Sequence, residues 1–482
     1  MVDRLAAQME SRAASPANPV AVAVGGPGSP SGSAGASTPG PSPSNPNASY
    51  PRSTGTLAPG QGTPQVPAPS DKDNMPYKAF NFPLKARFGP GFEFRTEDDE
   101  YILQFHNLTQ VDGRFYEQGG QNPVKDTFAI PRQWFMFSGR LGKPYEYFVS
   151  IQNTLDVVNM LDVFGNIHYD DRLQFKLGRF KTPFTYEFYA LPVQGLVQPE
   201  RSLFFNNFAL NRSEGVQAWG QLFDKRVDYA AGAFNSIRNS YLDSDDGKNV
   251  LAYLNYRPFL LEVDSPFQYL NIGGSVMTGD INALPSPISL RTNVATSGNS
   301  IVGPQFLTYN ANTRENGDRM YWDLHAAWYY KQLSLIGEWQ SGRTTYSLAN
   351  QPLRRTRVPV ESFYVQAGYF LTGETVAGRN VVNPIRPFDL RPGHQGYGAL
   401  ELTGRYNYLT MGREIFTGGF ADPNLWTNNL YLTDLGFNWY WTQNIKWVFQ
   451  WEHAVFGNPV LFAPGRLQRT NDSFLFRFQI FF

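Results

Sequence analysis

The sequence has no cysteine and no run of about 18 apolar residues, the length that a membrane-spanning helix needs. The first absence excludes disulfide bonds and thiolate metal sites, and the second excludes spanning helices. Charged residues make up only 17% and the formal net charge is +0, so the charge balance does not point to nucleic acid as a partner. A chain of 482 residues must therefore form either several domains or one large closed sheet.

Aromatic residues are abundant at 15%, although the mean hydropathy is −0.38. The last ten residues show how abundant aromatic residues and a low mean hydropathy can occur together. Every second side chain from Phe474 to Phe482 is apolar, and Arg477 and Gln479 lie between them. A period of two predicts a β-strand with two different faces. A barrel strand between lipid and a watery lumen has this pattern. For this stretch alone, the edge strand of a soluble sandwich is the alternative.

Segments with the same alternation recur in lengths that cross a tilted bilayer, about 9–11 residues. The sequence predicts about sixteen such strands, at residues 101–115, 128–141, 145–152, 161–169, 173–180, 214–223, 227–235, 249–258, 268–278, 320–330, 333–340, 360–371, 398–409, 430–441, 445–453 and 473–482. The predicted extracellular loops are 116–127, 153–160, 181–213, 236–248, 279–319, 341–359, 410–429 and 454–472. Alternating short and long connections are typical of bacterial barrels. The connection 372–397 is long for the periplasmic side and breaks this rule.

The two faces of the predicted strands are consistent along the chain. The face assigned to lipid carries Phe135, Phe137, Leu173, Phe175, Leu177, Leu335, Trp447 and Phe449. A slip of one residue would expose Arg140, Lys176 or Arg477 to lipid, at a cost of about 2–4 kcal/mol for each. A soluble sandwich does not need charged inward positions on so many strands. We therefore predict an all-β transmembrane antiparallel barrel over residues 101–482.

The N-terminal part has a different composition. Residues 1–76 are rich in Pro, Gly, Ser and Ala, which predicts a disordered segment, with room for a short helix at 1–13. The apolar run 19–24 is shorter than the core of a secretory signal, so we expect a processed, truncated or misplaced start. Residues 77–100 are expected to form a lead-in or strap, in which 92–95 are an extra strand or part of the strap.

Several stretches resemble the phosphate-selective porin O/P family of outer-membrane porins. They are FKLGRFKTPF at 175–184, ERS at 200–202, GVQAWG at 215–220, FLTGE at 370–374, GALELTGRY at 398–406, LGFNWY at 435–440 and RFQ at 477–479. The resemblance implies a sixteen-stranded barrel in the bacterial outer membrane, a homotrimer, and passage of anions, with a preference for phosphate in some members. The chain departs from the family at Pro131-Arg132, where members often have two arginines.

A lumen enclosed by sixteen strands is wide, so selectivity needs a constriction. Loop 181–213 is rich in aromatic side chains, which predicts a long third loop that folds inward against the wall. Arginine forks and lysine charges bind oxyanions, so we predict six pore-side cations: Lys181, Arg201 and Arg212 on the loop, and Lys176, Arg132 and Arg140 on the wall. The counter-charges of the loop are Glu187 and Glu200. For each of these cations the alternative is an ion pair that only holds the loop, for example Arg201 with Glu200 or Glu187.

The predicted inward charges are nearly balanced. Seven are positive, at Arg132, Arg140, Lys176, Arg257, Arg405, Lys446 and Arg477. Eight are negative, at Glu146, Asp162, Asp228, Asp323, Glu338, Glu401, Asp434 and Glu452. Such a balance does not by itself focus anions in the lumen, so a non-selective general porin is the alternative to an anion channel.

The sequence thus predicts an outer-membrane channel for passive diffusion of small hydrophilic solutes, with anions such as phosphate expected, and no cofactor or metal. The five histidines are scattered and form no nucleophile constellation, so no enzyme is predicted. A barrel adhesin or enzyme, with loop 279–319 as the adhesive element, is a less favoured alternative. The expected partners are outer-membrane lipid, further copies of the chain, small anions and the barrel assembly machinery. Phe482, Ile480 and Phe478 resemble the C-terminal signal that this machinery reads.

Overall fold

The computed structural model describes residues 83–89, 91–117, 119–122, 124–154, 157–243, 245–293 and 303–482. The strands are β1 Leu84–Gly89, β2 Gly91–Thr96, β3 Tyr101–Tyr116, β4 Thr127–Leu141, β5 Tyr145–Thr154, β6 Val157–Asp170, β7 Leu173–Lys181, β8 Arg212–Leu222, β9 Val227–Asn235, β10 Lys248–Tyr256, β11 Tyr269–Ala283, β12 Ser289–Arg291, β13 Gln305–Thr308, β14 Thr313–Tyr330, β15 Leu333–Leu348, β16 Gln351–Phe370, β17 Ala399–Met411, β18 Asn429–Tyr440, β19 Ile445–Ala463 and β20 Arg466–Phe481. The helices are Tyr186–Tyr189, the 3₁₀ turn Val193–Gly195, Leu203–Phe208 and Glu414–Thr417. No helix among these residues is long and apolar enough to span a bilayer. The predicted segment 1–76, with its helix at 1–13, lies outside the described residues.

Eighteen strands are hydrogen-bonded in one sheet. The hairpin of β1 and β2 accounts for two of them, and the other sixteen, β3–β11 and β14–β20, form an antiparallel barrel. The barrel closes because β20 pairs with β3 from Ser473↔Tyr116 to Phe481↔Leu108. Closure removes the exposed strand edges that an open sheet would present. The predicted sixteen-stranded antiparallel barrel is therefore confirmed.

The predicted faces of the strands also hold. On β7 the outward Phe175 and Leu177 are 51% and 66% exposed, whereas the inward Gln174 is 3% exposed. On β20 the outward Phe474 is 51% exposed and the inward Arg477 is 1% exposed. An apolar outer face with polar side chains inside is what a barrel in lipid requires. The soluble sandwich is excluded as the fold.

Two predicted loops are strands instead. Residues 341–359 belong to β15 and β16, and residues 454–472 belong to β19 and β20. The inner face of these parts is packed in an apolar cluster through Tyr346, Val358, Phe456, Val460 and Phe462, whereas Leu353 is 93% exposed. An apolar outer face is required only where that face meets lipid. The strand extensions were missed because their outer side chains, among them Arg343 and Arg357, are exposed and polar.

The hairpin of β1 and β2 continues the wall beside β3. β2 pairs with β3 from Phe92↔Phe105 to Arg95↔Ile102, next to the place where the pairing of β20 ends. The ring of Phe482 lies 6.0 Å from that of Phe92 and 6.1 Å from that of Phe105. Its main chain exchanges hydrogen bonds of 2.8 and 3.1 Å with Asn107. The C-terminal residue thus joins the hairpin to the barrel seam.

Candidate functional site

Glu200 attaches loop 181–213 to the inner wall. Its carboxylate accepts hydrogen bonds from Arg132 at 2.6 and 3.0 Å and from Arg477 at 2.5 Å, and Arg114 lies 3.6 Å away. The side chain is 2% exposed. Burial alone would raise the pKa of Glu200, but the guanidinium groups of Arg132 and Arg477 outweigh it and hold the pKa below its usual value. The carboxylate is therefore ionised, with three arginines around it.

A second set of contacts involves strand β15 and the start of the loop. The carboxylate of Glu338 accepts hydrogen bonds from the main-chain N–H groups of Tyr186 at 3.0 Å and Glu187 at 2.7 Å. The carboxylate of Glu187 in turn accepts the N–H of Ser202 at 2.8 Å and lies 3.5 Å from Arg405. These bonds hold both ends of the folded loop segment against the same part of the wall.

Three further strands donate to main-chain carbonyls of the loop. Arg405 on β17 donates to Glu200 O at 2.7 Å, Asn438 on β18 to Val197 O at 2.9 Å and Lys446 on β19 to Leu196 O at 2.9 Å. Long-range contacts of this kind order a loop that would otherwise be costly to immobilise. The loop is thus fixed along strands β15 and β17–β20, with further bonds to Arg132 on β4 and Ser275 on β11.

The long connection between β16 and β17 also reaches this loop. Arg379 donates to Glu401 at 2.6 and 3.1 Å and to Gly195 O at 3.0 Å. A Cβ atom at Gly195 would lie 2.8 Å from the carbonyl oxygen of Arg379, so glycine permits this close approach. Burial alone would lower the pKa of Arg379, but the Glu401 carboxylate raises it. The connection that broke the predicted loop rule therefore packs against loop 181–213 from the periplasmic side.

A cavity of about 900 Å³ lies between these loops and strands β4–β11. We call it the main cavity. Its charged lining residues are Lys176, Lys181, Arg201, Arg212, Arg257 and Arg379, with Asp162 and Asp228 as the acids. Six positive and two negative side chains give a formal excess of four positive charges, which differs from the near balance counted over all inward positions. Three of these cations are paired with acids, Arg212 with Asp162, Arg257 with Asp228 and Arg379 with Glu401 of β17.

A smaller cavity of about 50 Å³ adjoins the main one and has Trp134, Val193, Arg201 and Arg212 in common with it. Arg132 and Glu200 line the smaller cavity as well. The four shared residues therefore form the boundary between the two cavities. Two of the four are arginines, and a guanidinium presents several N–H donors toward any anion that passes.

The loop cations predicted for the pore have different contacts. Arg212 donates to the carboxylate of Asp162 at 2.9 Å. Lys181 donates to the carbonyl oxygens of Phe188 and Leu191 at 2.8 and 3.1 Å. Arg201 donates to Glu187 O at 2.8 Å and not to either predicted carboxylate. Among the described residues, Arg201 therefore forms no ion pair with Glu187 or Glu200. Arg212 is paired with Asp162, so the alternative of an ion pair applies to Arg212 and not to Arg201.

The three predicted wall cations also lie in different surroundings. Lys176 lines the main cavity and forms no ion pair among the described residues. Arg132 is engaged by Glu200 and lines the smaller cavity. Arg140 lies 3.3 Å from Glu146 and lines neither cavity. Five of the six predicted cations thus lie at the two cavities, and Arg140 does not.

Three residues of this region, Arg379, Arg114 and Asp112, were missed. Arg379 was not predicted because a single arginine in a turn rich in glycine and proline carries no periodic signal. Arg114 alternates with Asp112 on β3, and that alternation was available in the sequence. Arg477 bonds Asp112 at 2.6 and 2.8 Å across the barrel seam, which makes Asp112 and Arg114 part of the cluster around Glu200.

Apolar side chains occupy the extracellular half of the lumen. The helix Leu203–Phe208, Leu290 of β12, Phe306 of β13 and Ile415 belong to one buried cluster with side chains of the surrounding strands. Thr292 and Asn293 donate to Glu452 on the inner wall at 3.2 and 3.0 Å. The described parts of loop 279–319 thus fold inward rather than outward. Among the described residues, no group of His, Asp or Glu side chains is arranged to hold a metal ion.

A closed antiparallel barrel with an apolar exterior and a polar, charged interior defines an outer-membrane β-barrel protein. The family model for phosphate-selective porin O and P matches residues 106–454. The chain therefore belongs to this porin family, and its location is the bacterial outer membrane.

Individual similarities are weaker. An uncharacterized protein of Caulobacter vibrioides is 34% identical over 90 residues, which are 18% of this chain and 17% of that protein, so the chain spans less than a fifth of this curated relative. An anion-selective porin from Comamonas acidovorans is 11% identical with a TM-score of 0.47, covering 80% of this chain and 100% of that chain. The trimer form of OmpT from Vibrio cholerae is 7% identical with a TM-score of 0.43, with the same coverage.

Proposed function

We propose that the protein is an outer-membrane channel through which small anions, phosphate among them, diffuse passively. The observation that carries the proposal is the charge of the main cavity, whose lining includes six cations and two acids. Lining charges of one sign raise the local concentration of the oppositely charged solute. The matched family description supports phosphate as a member of this solute class.

The contacts of the cations indicate how an anion would be held. Lys181 lies among carbonyl groups, and Lys176 has no ion pair among the described residues. A buried cation without a carboxylate is costly unless another anion compensates it. A passing anion would provide that compensation near Lys176 and Lys181. Arg201 and Arg212 would then mark the boundary between the two cavities.

The test is the reversal potential of the purified protein in planar bilayers under a KCl gradient. We expect discrete conductance steps and a reversal potential on the side of chloride permeation, because cations line the main cavity. Equal permeability of the two ions would leave a non-selective general porin. A cation-selective channel, or no conductance steps, would contradict the proposal.

We further propose that the protein assembles as a homotrimer, as the resemblance to the family implies, and that the barrel assembly machinery reads Phe482, Ile480 and Phe478. Deletion of Phe482 is expected to lower the amount of protein in the outer membrane, because it removes both a signal residue and the contacts with Asn107. Membrane levels equal to those of the unmodified protein would contradict the signal, and a monomeric mass in mild detergent would contradict the trimer.

A further inference from the structure

The wall of the main cavity around Lys176 is aromatic. The Nζ atom of Lys176 lies 4.7 Å from the ring centroid of Trp219, 4.8 Å from that of Phe164 and 5.3 Å from that of Phe180. Among the described residues, no carboxylate forms an ion pair with this lysine. Its charge is therefore stabilised by the faces of rings, which attract cations through their quadrupole.

Aromatic side chains continue along the cavity. The rings of Tyr189 and Tyr253 lie 4.9 Å apart, and both residues line the cavity. Tyr253 is 4% exposed, and its hydroxyl has no hydrogen-bond partner within the described part of the chain. Across from them, the guanidinium of Arg212 lies 5.6 Å from the ring centroid of Trp134. The cavity therefore combines unpaired polar donors with broad apolar surfaces.

Such a lining differs from the polar interior of a water-filled porin. Rings offer no hydrogen bonds to replace the water around a small, strongly hydrated anion, so a stretch of aromatic wall is a barrier to it. An anion that carries a planar apolar ring loses less hydration and gains offset or edge-to-face contacts with Trp and Tyr. A volume of about 900 Å³ is large enough for such a solute, since pockets for drug-sized ligands span about 300–1,000 Å³.

We propose that the main cavity is a binding site for anions with an aromatic body, namely aryl carboxylates and aryl phosphates. The anionic group lies at Lys176, Lys181 and Arg212, and the ring packs against Trp219, Trp134 and Tyr189. This inference rests on the proposed anion channel and specifies which anions it prefers. Inorganic phosphate crosses the same cavity but is held less tightly.

The test compares phenyl phosphate with inorganic phosphate, because the two share a head group and differ in the ring. Each is titrated against the KCl current of single channels formed by the full chain. We expect phenyl phosphate to reduce the current at a concentration at least about tenfold lower than inorganic phosphate, since ring contacts contribute at this level. Equal potency, or tighter block by inorganic phosphate, would overturn the inference.

Variants separate the aromatic site from the channel function. Trp219→Leu removes the ring beside Lys176 and should bring the potency ratio of the two phosphates toward one, while Trp219→Phe should restore part of it; Phe164→Leu gives a second, independent test. Trp322→Leu is the matched control, because Trp322 packs on the outward-facing Trp339 at 4.5 Å, and it should keep the native ratio. A Trp219→Leu ratio equal to that of the control contradicts the site.

The reversal potential distinguishes a failure of the proposed anion channel from a failure of the aromatic binding site. A channel that prefers chloride to potassium but is blocked equally by both phosphates retains the proposed function and refutes the aromatic site. A channel that prefers potassium refutes both.

Discussion

Replacement of Glu200 by glutamine is expected to detach loop 181–213 from the wall and raise the single-channel conductance. In the unmodified protein, Arg132 and Arg477 donate to the Glu200 carboxylate. The amide of glutamine keeps the shape of the side chain but presents an NH₂ group and no charge to these arginines. Breaking a buried ion pair by removing one partner costs about 3–5 kcal/mol. The attached arrangement of the loop should lose this stabilisation, so open states with larger and noisier currents become populated.

The barrel itself should persist in this variant, because its sixteen strands are joined by main-chain ladders. Heat modifiability in detergent gels is the check that the barrel is folded, and single-channel recording measures the loop. Glu117→Gln is the matched control. Glu117 is exposed, and this substitution removes the same charge at a position away from the arginines around Glu200. Currents of native size and noise in the Glu200 variant would show that the loop does not depend on this carboxylate.

The barrel was readable from the sequence because lipid imposes one apolar face on every spanning strand. Exposing Arg477 or Lys176 to lipid would cost about 2–4 kcal/mol. The alternation of apolar and polar residues therefore fixes the register of each strand. The strand extensions in β15, β16, β19 and β20 had no such constraint. Their hairpins were therefore taken as loops.

The attachment of the loop was not readable in the same way. Glu200 and Arg201 are neighbours in sequence, and a local ion pair was a reasonable alternative. The structure instead joins Glu200 to Arg477, 277 positions away, and to Arg132, 68 positions away. Contacts across the barrel depend on which strands face each other after closure. A single sequence lists the charged groups and does not state their partners.

Counting charges over the whole lumen obscured the feature that matters for selectivity. Three acids of the wall are engaged by other groups. Glu338 accepts a main-chain hydrogen bond from the loop, Asp434 accepts a hydrogen bond from Arg405, and Glu401 accepts one from Arg379. These contacts place the acids on the side where the loop is fixed and leave an excess of cations at the main cavity. In the proposed anion channel, selectivity would therefore depend on where the loop lies, rather than on the total charge of the wall.

Changing Lys176 and Lys181 together to glutamate is expected to abolish the anion preference. The charged lining of the main cavity would change from six cations and two acids to four of each. A unit charge at 4 Å contributes about 1 kcal/mol in bulk water and about 4 kcal/mol at an effective dielectric constant of 20. Replacing attraction by repulsion at two positions should therefore lower the chloride-to-potassium permeability ratio by at least about tenfold.

Reversal potentials under a KCl gradient measure this change, and the salt dependence offers a second readout. The shift should shrink at high ionic strength, because charges in a wet lumen are screened over about 10 Å at 0.1 M salt. Lys125→Glu with Lys143→Glu is the matched control, since both lysines are exposed and outside the cavity lining. The Lys176→Met and Lys181→Met pair removes charge without reversing it and should give an intermediate ratio. If the glutamate pair keeps the native ratio, Lys176 and Lys181 do not set selectivity, and the anion preference must depend on other cations such as Arg201 and Arg212.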